Sequence, residues 1–115
     1  MSSSDASTAI HSITHNEFHS EVVEAEVPVL VDFWAEWCQP CLHMNPVLEE
    51  LAEELGSQAK IVKVNLDEER VLGAMFQVMS IPALFVFHGG KKTREFHGAQ
   101  SKDTLKAALS AGPVE

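Results

Sequence analysis

The sequence predicts an α/β fold: a mixed sheet of about five strands flanked by about four helices. Three observations predict it. A nearly unbroken apolar run, Val29 to Trp34, is followed by a helical apolar stripe and then a β-branched segment, which makes a βαβ unit. Two strand-like segments flank Gly89-Gly90, which makes an antiparallel hairpin. A last amphipathic segment follows a Ser cap.

Each element follows in order. Ala9 to Ile13 is a short apolar strand. Thr14-His15-Asn16-Glu17 has the S/T-x-x-E form of a capping box, so a helix runs to about Ala25 and buries Phe18 and Val22. Pro28 suits the first position of the strand ending at Trp34, which reads as a central strand covered on both faces. A helix runs from about Pro40 to Leu55 with Met44, Val47, Leu48, Leu51 and Leu55 on one stripe, Pro46 inside it, and Gly56 as its stop. Lys60 to Leu66 is a strand. Asp67 then caps a helix of about ten residues through Val71, Met75 and Phe76. Ala83 to Phe87 and Lys92 to His97 are the hairpin strands, and Ser101 caps a helix that turns Leu105, Ala108 and Leu109 inward. The βαβ start requires a right-handed crossover and a parallel pair.

With 115 residues there is room for one domain, read as 9–112 behind a flexible Ser-rich tail, 1–8. Hydrophobic residues at 45% set the chain apart from disordered ones. The net charge of −9 argues against a nucleic-acid binder, whose footprint is a basic face. No apolar run nears the ~18 residues of a membrane span, and the start has no signal-peptide pattern. The expected location is therefore cytoplasmic. Residues 1–59 carry eleven acids and no Lys or Arg, whereas residues 60–115 carry all eight Lys and Arg against six acids. This reads as a solvated acidic face, the alternative being an acidic surface that steers basic partners.

The chemistry lies at Trp37-Cys38-Gln39-Pro40-Cys41, where a buried strand turns into a helix. A helix N-terminus offers free N–H groups and partial positive charge, which stabilise a thiolate on Cys38. Cys41 falls about one turn on, close enough to bridge. Pro40 suits the first helical turn and stiffens the ring. A redox dithiol follows: Cys38 attacks a target disulfide and Cys41 resolves the mixed disulfide. Cys38 is expected exposed and Cys41 shielded beneath it. The alternatives are buried structural thiols and half of a zinc site, although a structural zinc site wants four ligands and no second Cys pair exists. His11, His15 and His19 are split between a strand and a helix, so their spacing is read as accidental and no metal is assigned. Asp32 interrupts the apolar run. A buried carboxylate there has a raised pKa and can exchange a proton near neutral pH.

The stretch Val31 to Cys41 closely resembles the active-site segment of the thioredoxin family. Lys63-Val64-Asn65-Leu66-Asp67 resembles its K-x-N-x-D strand end, Ile81-Pro82 with Leu84 to Phe87 its I-P-T-L-x-x-F segment, and Gly98 its late glycine. The resemblance spans about residues 10–111. It implies a thioredoxin fold and a protein disulfide reductase with no bound cofactor, the Cys38–Cys41 pair carrying the electrons. It implies disulfide-containing target proteins as substrates and a thioredoxin reductase passing on electrons from NADPH; a monomer is expected. It also implies a cis Ile81–Pro82 peptide facing the cysteines, with the backbone at Ile81 pairing with an extended substrate. Asp32 would serve Cys41 through water with Lys63 nearby, and Trp37, Gln39, Pro40, Ile81, Pro82 and Gly98 would contact substrate.

The chain departs from the family pattern in several places. Gln39 replaces Gly between the cysteines, Leu42 replaces the common Lys after Cys41, and His43 follows. Gln77, Met79 and Ser80 stand before Pro82 where many members have Gly, Arg and Gly, and Ala83 replaces Thr. These changes put recognition by the standard reductase in doubt. A second reading is a thioredoxin-fold binding module that holds a partner around Trp37, Met79 and Pro82.

Overall fold

The apolar run after Pro28 becomes the middle strand of the protein. The computed structural model describes residues 10–111, so the expected tail lies outside the described residues. Five strands form one sheet: β1 (Ile10–Ser12), β2 (Val29–Trp34), β3 (Lys60–Asn65), β4 (Ala83–His88) and β5 (Lys91–His97). Their order is β1-β3-β2-β4-β5. β1, β3 and β2 run parallel; β4 is antiparallel to β2, and β5 to β4.

Alternation along the strands separates two cores. Val29, Val31 and Phe33 pack on one face with Phe18, Val22, Leu72, Phe85 and Phe87. Half-buried Phe76 joins this cluster, with ring centroids 5.7 Å from Phe85 and 5.9 Å from Phe87. On the other face Leu30, Ile61, Leu84 and Val86 meet Met44, Leu48 and Leu51 of α1 (Gln39–Leu55) and Leu105 and Leu109 of α3 (Lys102–Ser110). Pro46 lies inside α1, and Gly56 ends it at φ +52°.

The hairpin and the last helix form as the sequence predicts. Gly89 and Gly90 both have positive φ, at 60° and 83°. A Cβ on Gly90 would also meet the Val23 carbonyl oxygen at 2.9 Å. Ser101 Oγ accepts the Thr104 N–H at 3.1 Å. Buried His88 ties the end of α3 to the hairpin, its ring reaching the Leu109 carbonyl at 3.1 Å and Thr93 Oγ1 at 2.8 Å.

Two helices differ from expectation. The segment after Thr14 is not one α-helix but a 3₁₀ turn, His15–Glu17, followed by a π-helical turn, His19–Val23. Thr14 and Glu17 form the expected capping box, in which Glu17 Oε1 accepts the Thr14 N–H at 2.9 Å. Ser20 Oγ donates to the Glu17 carbonyl at 3.2 Å, a side-chain bond that competes with the α-helical ladder. Phe18 and Val22 are nonetheless buried. The helix expected from Asp67 is only α2 (Arg70–Met75). Asn65 explains the delay. Its Oδ1 accepts the N–H groups of Asp67 at 2.9 Å and Glu68 at 3.3 Å, so residues 65–68 close a turn before the helix begins.

Candidate active site

The site forms where β2 ends and α1 begins. Cys38 is the N-cap residue of α1, and Gln39 and Pro40 are its first two residues. Pro40 therefore stands where no intrahelical donor is needed. Cys38 and Cys41 are joined in a disulfide, with Cα atoms 5.2 Å apart. Cys38 Sγ also accepts the Cys41 N–H at 3.2 Å. The sulfur thus occupies the place of a capping oxygen, facing the positive end of the helix.

One expectation needs correction. Cys38 is not exposed: it is 5% accessible, against 1% for Cys41. Both sulfurs pack with Ala35, Trp34 and Ile81. The bond to Cys41 and the contact with its N–H draw Cys38 toward the helix end. Gln39 and Pro40 remain exposed beside it.

Several residues named from the sequence lie at the same end of the sheet as this pair. Ile81 packs against it, and the Ile81–Pro82 peptide is cis. Gly98 donates its N–H to the Pro82 carbonyl at 2.8 Å, holding the end of β5 to this loop. Its φ of +90° is a conformation that favours glycine. Trp37 is 69% exposed, and its indole N–H donates to Asp67 Oδ2 at 3.0 Å. The expected helix cap thus anchors the tryptophan instead. Met79, 91% exposed, stands in the loop before Ile81.

Asp32 is fully buried in β2, on the sheet face that α1 covers. Neither of its oxygens has a hydrogen-bond partner among the described residues, and Trp34 Nε1 has none either. Burial pushes the Asp32 pKa from an ordinary 3.8 up to about 7, and the Lys63 charge partly opposes this. Lys63 is the cross-strand partner of Asp32. Its ammonium does not bond Asp32: it donates to Asn45 Oδ1 at 2.6 Å and stands 4.4 Å from the centre of the Trp34 ring.

Sequence reasoning missed Asn45, and the turn-forming role of Asn65. An Asn two residues before Asp67, at a strand end, is a readable turn signal. The Asn45–Lys63 contact joins residues 18 apart in sequence and gives no local signal. Among the described residues no group of three or more His, Cys, Asp or Glu could hold a metal ion. No helix there is long and apolar enough to cross a membrane.

A bonded Cys-x-x-Cys pair capping a helix, packed against the residue that precedes a cis-proline, defines a dithiol–disulfide oxidoreductase. Comparison with known proteins narrows the class. The family model described as Thioredoxin matches residues 9–111. The chain is 42% identical to thioredoxin 1 of a Nostoc species over 102 residues, covering 89% of this chain and 95% of that protein. It is 44% identical to the thioredoxin of Streptomyces clavuligerus over 105 residues, covering 91% and 94%. It is 40% identical to the thioredoxin of Pyropia yezoensis over 102 residues, covering 89% and 95%. The chain belongs to the thioredoxin family and is a protein disulfide oxidoreductase.

Proposed function

We propose that this protein reduces disulfides in other proteins through Cys38 and Cys41. The observation that carries the reading is the Cys38 sulfur at the N-cap of α1, within reach of Cys41. In the reduced form the helix end favours the Cys38 thiolate. That thiolate attacks one sulfur of a target disulfide, forming a mixed disulfide and releasing the other sulfur as a thiolate that takes up a proton. Cys41 gives its proton to the Asp32 carboxylate and attacks Cys38. The Cys38–Cys41 disulfide forms, and the second target sulfur leaves and is protonated. Two electrons pass to the target.

Asp32 suits this role because its pKa of about 7 lets it exchange a proton near neutrality. Lys63 supplies the nearby charge. Trp37, Gln39, Pro40, Ile81, Pro82 and Gly98 form the contact surface, with backbone at Ile81 pairing with an extended target segment. No bound cofactor takes part. The resulting disulfide must be reduced again, which calls for a thioredoxin reductase supplied by NADPH and for a reducing compartment, the cytoplasm. The protein acts as a monomer that docks one target at a time.

Replacing Cys41 by Ser tests the exchange. Reduced Cys41→Ser protein, mixed with a disulfide-containing protein, accumulates a mixed disulfide at Cys38 that dithiothreitol reverses, seen as one added mass. Folded variant that forms no adduct contradicts the reading. A second reading, a binding module, draws on the exposed Trp37 and Met79. It requires that the Cys38→Ser, Cys41→Ser double variant keep full function.

A further inference from the structure

Asn45 belongs neither to the cysteine pair nor to the surface around Pro82, yet it holds the cation that neighbours Asp32. It lies on α1, four residues after Cys41, and is half-buried. Lys63 and Asp32 face each other in the parallel β2–β3 register, so their side chains leave the sheet on the same side. The lysine stem is long and flexible, and its partners decide where the charge rests. Those partners are Asn45 Oδ1 at 2.6 Å and the face of Trp34 at 4.4 Å. An ammonium can only donate, so the amide must present its oxygen. Meanwhile both Asp32 oxygens lack a hydrogen-bond partner among the described residues.

We infer that Asn45 is a positioning residue: its amide oxygen holds the Lys63 ammonium off the Asp32 carboxylate and so sets how tightly Asp32 keeps its proton. A neutral amide does this without cancelling the lysine charge. The charge still acts on Asp32 through space, but direct ion pairing, which would lock the carboxylate in its ionised form, does not occur. The inference rests on the proposed role of Asp32 only for its consequence in catalysis.

The other groups around Asp32 leave the lysine as the adjustable charge. β4 presents apolar Leu84 opposite it. Glu49 and Glu53 line the same groove of about 470 Å³ as Asn45 and Lys63. Both are exposed, so water weakens their pull on the ammonium. The buried carboxylate, in a medium of lower dielectric, attracts a released ammonium more strongly.

The test is a titration of Asp32 in the full-length oxidised protein, followed by the NMR signal of its carboxyl carbon. Asn45→Ala frees Lys63, and the midpoint falls by about one pH unit. Asn45→Asp adds a negative charge that draws the ammonium away, and the midpoint rises. In a Lys63→Met background Asn45→Ala leaves the midpoint unmoved. An unchanged midpoint in Asn45→Ala, or the same fall without the lysine, overturns the inference. A parallel pH profile of mixed-disulfide resolution separates the two readings. If the midpoint moves while the profile stays, the positioning by Asn45 stands and the proton exchange between Asp32 and Cys41 is wrong.

Discussion

Asp32 is the residue where stability and chemistry pull in opposite directions. Its burial shifts the pKa from 3.8 to about 7, roughly three units, or about 4 kcal/mol between its two protonation states. Below about pH 4 the carboxyl is protonated in the folded and unfolded chains alike, so its ionisation costs the fold nothing. Between about pH 4 and 7 the unfolded chain ionises first, so this group lowers stability as pH rises. Above about 7 the loss is complete. Asp32→Asn removes that dependence. We expect the variant to be more stable than wild type at pH 8 by about 2 kcal/mol, the remainder being spent on a buried amide without partners. Near pH 4, where Asp32 carries no ionisation penalty, only the amide's cost remains and the variant is less stable than wild type by about 2 kcal/mol. Denaturant unfolding at the two pH values checks this, and the same variant should slow the resolution of the mixed disulfide near pH 7.

The elements themselves show how far local sequence carries. β2, β3 and the β4–β5 hairpin were legible because alternation, β-branched content and Gly89-Gly90 all act within a few residues. Ser101 was legible for the same reason. Its Oγ satisfies the Thr104 N–H, and Ser101→Ala should cost about 1 kcal/mol in denaturant unfolding without altering the disulfide exchange. The N-terminal helical segment and α2 were less legible because side chains there compete for backbone groups. Ser20 takes the Glu17 carbonyl, and Asn65 takes two N–H groups that would otherwise start a helix at Asp67. The site divides along the same line. Cys38 and Cys41 could be found from their spacing at a strand–helix junction, and Asp32 from its place in an apolar run. Asn45 could not, because its partner lies on another element. The burial of Cys38 was also hidden, since it depends on packing by Trp34 and Ile81.

Across the whole molecule, folding brings together charges that the sequence keeps apart. The acidic first half and basic second half meet where Lys102 pairs with Glu50 and Glu54, and Lys106 with Glu54. Lys60 reaches Glu21 at 2.7 Å. The exposed pairs of Lys106 and Lys102 add little stability and weaken with salt. The net charge of −9 remains. The exposed tryptophan, the cis-proline loop and the cysteine pair then occupy one end of the sheet, between two cores that hold them in place.

The central claim is that this end of the molecule reduces protein disulfides through Cys38. The most direct test is reduction of insulin by catalytic amounts of the protein with dithiothreitol as electron donor, comparing wild type with Cys38→Ser. The account predicts rapid turnover by wild type and a rate no higher than dithiothreitol alone for the variant. Folded wild-type protein with two free thiols that gives no acceleration, or a Cys38→Ser variant that retains it, would contradict the account.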